Sequence, residues 1–179
     1  MEKLGLKCLI FSDLVRYGRG RTWKAFFISY LKTAGFRLSF WYRVARYYRR
    51  NFIFRIILRH YHYKFGIELA METQVGEGLY IGHFGGIIVS SQAVIGKNCT
   101  IMQGVTIGIA GRGENRGAPI IGDGVYIGAG AKVIGKIRIG NNVAIGANAV
   151  VTKDVPDNAI VVGIPAKIIS MDGAQSCDR

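Results

Sequence analysis

The sequence predicts a mainly β protein, a parallel solenoid preceded by a short helical region. Two contrasts and one period carry that prediction. Residues 1–65 hold 15 Lys and Arg against 2 Asp and Glu, while the rest of the 179-residue chain holds 9 of each. The formal charge of +13 therefore lies in the first third. Aromatic side chains crowd the same segment, 17 of 20, whereas 21 of 25 glycines follow residue 65. The glycine-rich part repeats with a period of six.

The repeat places apolar residues at Val75, Ile81, Ile87, Ile95, Ile101, Ile107, Ile121, Ile127, Val133, Ile139, Ile145 and Val151, with Gly next after eight of these twelve. Small or β-branched residues, such as Val105, Val125, Ala131, Val143 and Ala149, stand four positions on. A period of six fits neither a helix of 3.6 residues per turn nor an alternating strand. It fits triangular coils of three short strands, in which one aliphatic residue per strand points inward and stacks on its equivalent one coil later. Gly beside it opens the corner to positive φ. The register breaks twice, with two extra residues between Ile87 and Ile95 and eight between Ile107 and Ile121. The second insertion, Ile109 to Pro119, is polar and glycine-rich. It should leave the coil as a loop of the kind that carries function on rigid scaffolds.

Residues 22–64 contain no proline and space their apolar residues by three and four, as in Phe26, Phe27, Tyr30 and Leu31, and again in Ile53, Ile56 and Ile57. Gly35, between Thr33 and Ser39, marks a break between two helices. The expected units are a basic aromatic helical region over 1–65, a solenoid over 66–169 and a tail over 170–179. Half the residues are apolar, enough for a core and too many for a disordered chain. No uncharged apolar run approaches the ~18 residues of a membrane span. Cys8, Cys99 and Cys177 share no metal-like or paired spacing, and no signal peptide precedes them, so a reducing cytoplasmic compartment is expected.

The basic helical segment has three readings. It packs on the solenoid end with Arg and Lys on its wet face. It meets anionic lipid, or a lipid-linked sugar diphosphate, at the inner face of a membrane. Nucleic acid ranks last, because no recognition motif accompanies the charge. Among the three histidines, His60 and His62 sit among Arg59, Tyr61, Tyr63 and Lys64, where surface or packing roles suffice. His83 sits in Tyr80-Ile-Gly-His-Phe-Gly-Gly86, at a coil corner. A lone histidine there is either structural or a general base.

The repeat, the loop and the ending Asp154-Val-Pro-Asp-Asn-Ala with Val162-Gly-Ile-Pro-Ala-Lys resemble the hexapeptide acyltransferases. That resemblance is closest to the serine acetyltransferase branch and to acetyltransferases that decorate bacterial surface sugars, and Ser12-Asp13-Leu14, Gly35-Phe36-Arg37 and Trp41-Tyr42-Arg43-Val44 look like the end of the helical region of serine acetyltransferases. The resemblance implies a left-handed parallel β-helix, a homotrimer with active sites between neighbours, and acetyl-CoA lying along the coil. The helical region is shorter than in true serine acetyltransferases, so a plain trimer is expected.

Residue by residue, the resemblance makes His83 the base that takes the hydroxyl proton. Glu68, fifteen residues earlier, stands where serine acetyltransferases carry Asp, and would orient the imidazole; otherwise it is a solvated carboxylate. Asp13 matches a contact to a substrate amino group, or caps a helix. Arg112 and Arg116 offer forks for a carboxylate, and Phe84 offers a stacking face. Gly111, Ala129 and Ala147 leave room for the pantetheine arm, and Lys153 and Lys167 lie toward the nucleotide phosphates. Three further positions depart from the family pattern by losing a polar side chain. Gly82 replaces an Asp, Gly117 an Arg and Ala118 a His. Each lost polar partner costs about 1–3 kcal/mol toward an amino acid. These losses lead to the expectation of an O-acetyltransferase for a sugar hydroxyl of a surface polysaccharide or its lipid-linked precursor. Serine O-acetyltransferase is the alternative, and an inactive solenoid scaffold is the alternative outside enzymes.

Overall fold

The computed structural model describes residues 5–111, 113 and 116–174; Arg112 and Cys177 lie outside them. Four helices come first: α1 (Leu6–Val15), α2 (Trp23–Lys32), α3 (Ala34–Tyr47) and α4 (Phe52–Phe65). Thr22 caps α2 by accepting from Ala25 N at 3.1 Å, and Asn51 caps α4 by accepting from Ile53 N at 3.0 Å. Gly66 ends α4 in the left-handed conformation, φ +61°, and donates its N–H to His62 O. No described helix is long and apolar enough to cross a membrane.

The strands then wind as a parallel β-helix with three sheets. The first sheet stacks β1 (Ile67–Leu69), β4 (Ile87–Val89), β7 (Thr106–Gly108), β10 (Lys132–Ile134) and β13 (Val150–Val151). The second stacks β2 (Gln74–Val75), β5 (Val94–Ile95), β8 (Ile120–Ile121) and β11 (Arg138–Ile139). The third stacks β3 (Tyr80–Ile81), β6 (Thr100–Ile101), β9 (Tyr126–Ile127), β12 (Ala144–Ile145) and β14 (Ile160–Val162), closed by the antiparallel β15 (Lys167–Ser170). The repeat positions form the core: from Ile81 to Val151 all are buried, and only Val75 at the open end is partly exposed.

Contrary to the sequence reading, the repeat glycines do not take positive φ; at Gly76, Gly96, Gly122 and Gly128 a Cβ would run into the backbone of the next coil, so close stacking is what requires them. Two further details differ from that reading. In the first sheet Leu69 pairs with Val89, Val89 with Ile107, and Val133 with both Ile107 and Val151. The column therefore runs through Val89 rather than Ile87, and the two extra residues lie between Ile81 and Val89. They are placed by the flanking bonds. Gly82 N donates to Ile101 O as Met102 N does to Ile127 O, while Gly85 O accepts from Gly104 N as Gln103 O does from Gly130 N. His83 and Phe84 are the surplus pair. The second difference is Gly35, which lies within the first turn of α3 and does not break a helix; the break is at Thr33, extended at φ −119°, ψ 109°. Gly35 is required by contact: a Cβ there would sit 2.2 Å from Ile81 O.

The helices cover the open end of the solenoid, where the first coil has no preceding coil to pair with. Tyr42 Oη donates to Thr73 O at 2.6 Å, Arg43 to Val75 O and Gly76 O, and Arg46 to Met71 O and Thr73 O. Gly78 N and Leu79 N donate to Ser12 Oγ and Asp13 Oδ1, and Tyr17 Oη bonds both Ile81 N and Ile81 O.

Candidate active site

The three edges of the prism carry different residues. The edge between the third and first sheets carries His83, Phe84 and Gly85 in its first corner, and below them Gln103, Ala129 and Ala147 in successive coils, tied by Gly104 N to Gly85 O at 2.9 Å and Asn148 N to Ala129 O at 2.8 Å. At about 4.8 Å per coil, Ala147 lies about 14 Å below the first corner. Because His83 and Phe84 are surplus to the repeat, both bulge from a rigid corner and both are exposed. Phe84 lies against Phe65 at the end of α4, with ring centroids 6.0 Å apart. Gly85 and Gly86, at φ +106° and +67°, let the chain turn back into β4.

The edge between the first and second sheets carries the insertion. It leaves after β7 and returns as a hairpin closed by Ala110 N to Gly117 O at 3.1 Å and Gly117 N to Ala110 O at 3.2 Å. Gly111 and Arg116 are exposed on it, and Arg112 lies outside the described residues. Lys153 follows β13 on the same edge. Lys167 opens β15 at the far end of the third sheet, and both lysines are exposed. The histidine and the loop thus stand on different edges of one prism.

Glu68 sits outward in the middle of β1, whose strand pairs with β4 just past the His83 corner. Among the described residues no hydrogen bond or ion pair joins Glu68 to His83. The charge of Glu68 is instead felt by His62, whose pKa burial lowers, while Leu69 O at 3.0 Å and Glu68 raise it.

Asp13 is corrected on both counts. It lies inside α1 rather than at its cap, and it is fully buried. Its carboxylate accepts from Arg43 Nε and Nη2, both at 3.0 Å, and from Leu79 N at 2.9 Å. Burial pushes its pKa up, against Arg43 and the Leu79 N–H, which pull it down; Arg43 stays charged because Asp13 offsets its own burial. The bidentate geometry is that of an ion pair, and no face of Asp13 is open to a ligand. Sequence reasoning missed Arg43 and Met102. Arg43 fixes α1 to the solenoid from thirty residues away, and a Cβ at Gly82 would meet Met102 Sδ at 2.6 Å. The space of the missing acid is therefore taken by a thioether from the next coil.

Comparison with known proteins fixes the family. Residues 118–153 match the bacterial transferase hexapeptide (six repeats) model. A serine acetyltransferase of Synechococcus elongatus is 42% identical over 110 residues, which are 62% of this chain and 45% of that protein. The chain spans about half the length of the curated relatives it matches. Among solved structures, the serine acetyltransferase of Neisseria gonorrhoeae in complex with serine aligns with a TM-score of 0.78 and 34% identity, covering 92% of this chain and 69% of that one. A serine acetyltransferase in complex with CoA aligns at 0.76 and 31%, covering 90% and 68%. These relatives overturn the sugar-acceptor expectation and its place in polysaccharide synthesis. The expectation rested on side chains absent at Gly82, Gly117 and Ala118, and an absent side chain specifies no replacement acceptor. The mainly β reading, a left-handed parallel β-helix behind a short helical region, stands. By extent and identity of the match, the chain belongs to the serine acetyltransferase family of hexapeptide-repeat acyltransferases.

Proposed function

We propose that the chain is an acetyl-CoA-dependent serine O-acetyltransferase. One observation carries this reading: the likeness to a serine acetyltransferase solved with serine runs through the helices and the solenoid alike. In the proposed reaction His83 takes the proton from the serine hydroxyl as its oxygen attacks the thioester carbonyl. The tetrahedral intermediate collapses by breaking the C–S bond, and the imidazolium returns the proton to the leaving sulfur. The products are O-acetylserine and CoA. Glu68 would accept from the second ring nitrogen and stabilise the imidazolium. The small residues below His83, Ala129 and Ala147, leave a groove for the pantetheine arm, with Lys167 toward the phosphates of the same chain and with Gly111 and Lys153, which stand on the other edge, reaching it from a neighbouring chain.

The separation of His83 from the loop motivates a shared site. In a homotrimer the 109–119 loop of one chain would meet the His83 edge of the next, and Arg112 and Arg116 would bring their guanidinium groups to the serine carboxylate. With Asp13 committed to Arg43, the serine amino group needs another acceptor, and backbone carbonyls of the corner are the groups at hand.

The test is purified protein with acetyl-CoA and L-serine, following thiol release and O-acetylserine together. One CoA per O-acetylserine is expected. Bound acetyl-CoA with no serine-dependent thiol release overturns the reading.

A further inference from the structure

We infer that the outer face of the helical region is a docking surface for an anionic phospholipid bilayer. This face is independent of the acetyl-transfer reading. On α4 the apolar residues Phe52, Ile53, Ile56 and Tyr63 are exposed, Tyr63 at 80%. They form one stripe, flanked by the exposed Arg55 and Arg59 on one side and Lys64 on the other. The turn before α4 continues the pattern with exposed Tyr47, Tyr48, Arg49 and Arg50. A second, separate stripe on α2, made of Trp23, Phe27 and Leu31 spaced by four, is exposed too, Leu31 at 71%, with Lys24 and Lys32 beside it. Such stripes are ordinarily buried, because exposed contiguous apolar surface is costly in water.

Charge decides the occupant. Asp13 is the only acid among the described residues of this region, and it is buried and paired with Arg43. The exposed face of the helices therefore carries cations and apolar groups, and Glu72 of the first coil is an exposed carboxylate in the groove beside Arg55 and Arg59. Two copies of such a face repel one another. A nucleic acid would satisfy the cations but leave the Ile, Leu and Phe side chains in water, since phosphate contacts are made by polar groups. The interface of an anionic bilayer accepts both: phosphates meet Arg and Lys, acyl chains meet Ile, Leu and Phe, and Tyr and Trp suit the boundary between them. Arg55 and Arg59 also line a groove of about 370 Å³ between α4 and the first coil, whose floor includes Met71 and Glu72.

The test is co-sedimentation of the full chain with vesicles of phosphatidylcholine alone and of phosphatidylcholine with phosphatidylglycerol. Binding to the anionic vesicles, weakened by salt, is expected, with none to the neutral ones. Arg55→Gln/Arg59→Gln should lower partitioning by about thirtyfold, at about 1 kcal/mol for each cation. Ile53→Ser/Ile56→Ser should lower it by about tenfold or more while the charge is unchanged. If the Ile pair disturbs the fold by circular dichroism, the Arg pair on exposed side chains decides alone. Equal binding to both vesicles, or to neither, overturns the inference. So does a concentration-dependent larger assembly that the Ile pair abolishes, which would assign the face to a second copy, or displacement from vesicles by duplex DNA at equal phosphate.

Discussion

The helical region and the solenoid solve the burial problem in opposite ways. The solenoid buries one aliphatic residue per strand and repeats that solution, so each coil needs only its neighbours. Its charges cancel, and its polar backbone is paired by the next coil. The helical region has no repeat. It holds itself together by aromatic contacts such as Phe26 with Phe36 and Trp41 with Tyr61, and meets the solenoid through a few buried polar anchors. The difference implies that chemistry and stability are separable. A corner residue of the solenoid should be removable at the cost of function alone, while removing an anchor of the helices should cost stability.

The largest expected effect falls on the anchor. Arg43→Ala leaves the Asp13 carboxylate buried without its partner and orphans Val75 O and Gly76 O. A loss of about 3–5 kcal/mol is expected in chemical denaturation. Next comes the corner. His83→Ala should lower turnover with L-serine by about a hundredfold or more, with acetyl-CoA binding and unfolding midpoint unchanged. Near-normal turnover would remove His83 as the base. Gly35→Ala sharpens the seam between the regions: its new methyl meets Ile81 O, a backbone atom that cannot swing away, and about 1–3 kcal/mol of stability should be lost. The smallest effect concerns His62. Burial lowers its pKa, so the folded protein holds it neutral while the unfolded chain takes up a proton near pH 6.5. Its contribution is present above about pH 6.5 and fades as pH falls below that value. The His62→Gln variant should show a flatter acid limb in a series of thermal melts.

The same contrast explains what the sequence made legible. Stacked Ile and Val at a fixed period announce a solenoid, because every coil repeats the signal. The break at the His83 corner was harder to place. Ile87 and Val89 both point inward from the three-residue β4, so the period alone does not choose between them. The pairing of Val89 with Ile107 puts the surplus before Val89, and the bonds of Gly82 and Gly85 assign it to His83 and Phe84. Gly35 reads as a helix break in one dimension and proves to be a point of close approach in three. The Asp13–Arg43 pair spans two helices with no periodic trace, so a buried anchor looked like a ligand contact. The acceptor was misread for a related reason. Gly82 looked like a missing substrate contact, although Met102 from the next coil occupies that space.

The central claim is that one site is built from two chains, the His83 edge of one and the 109–119 loop of its neighbour. It is tested most directly by co-expressing two differently tagged inactive variants, His83→Ala with an intact loop and a chain lacking residues 110–117 with His83 intact. Assemblies containing both tags should recover serine-dependent thiol release, because some interfaces unite an intact histidine with an intact loop. Mixed assemblies as inactive as either parent, or full activity in the loop-deleted chain alone, would contradict it.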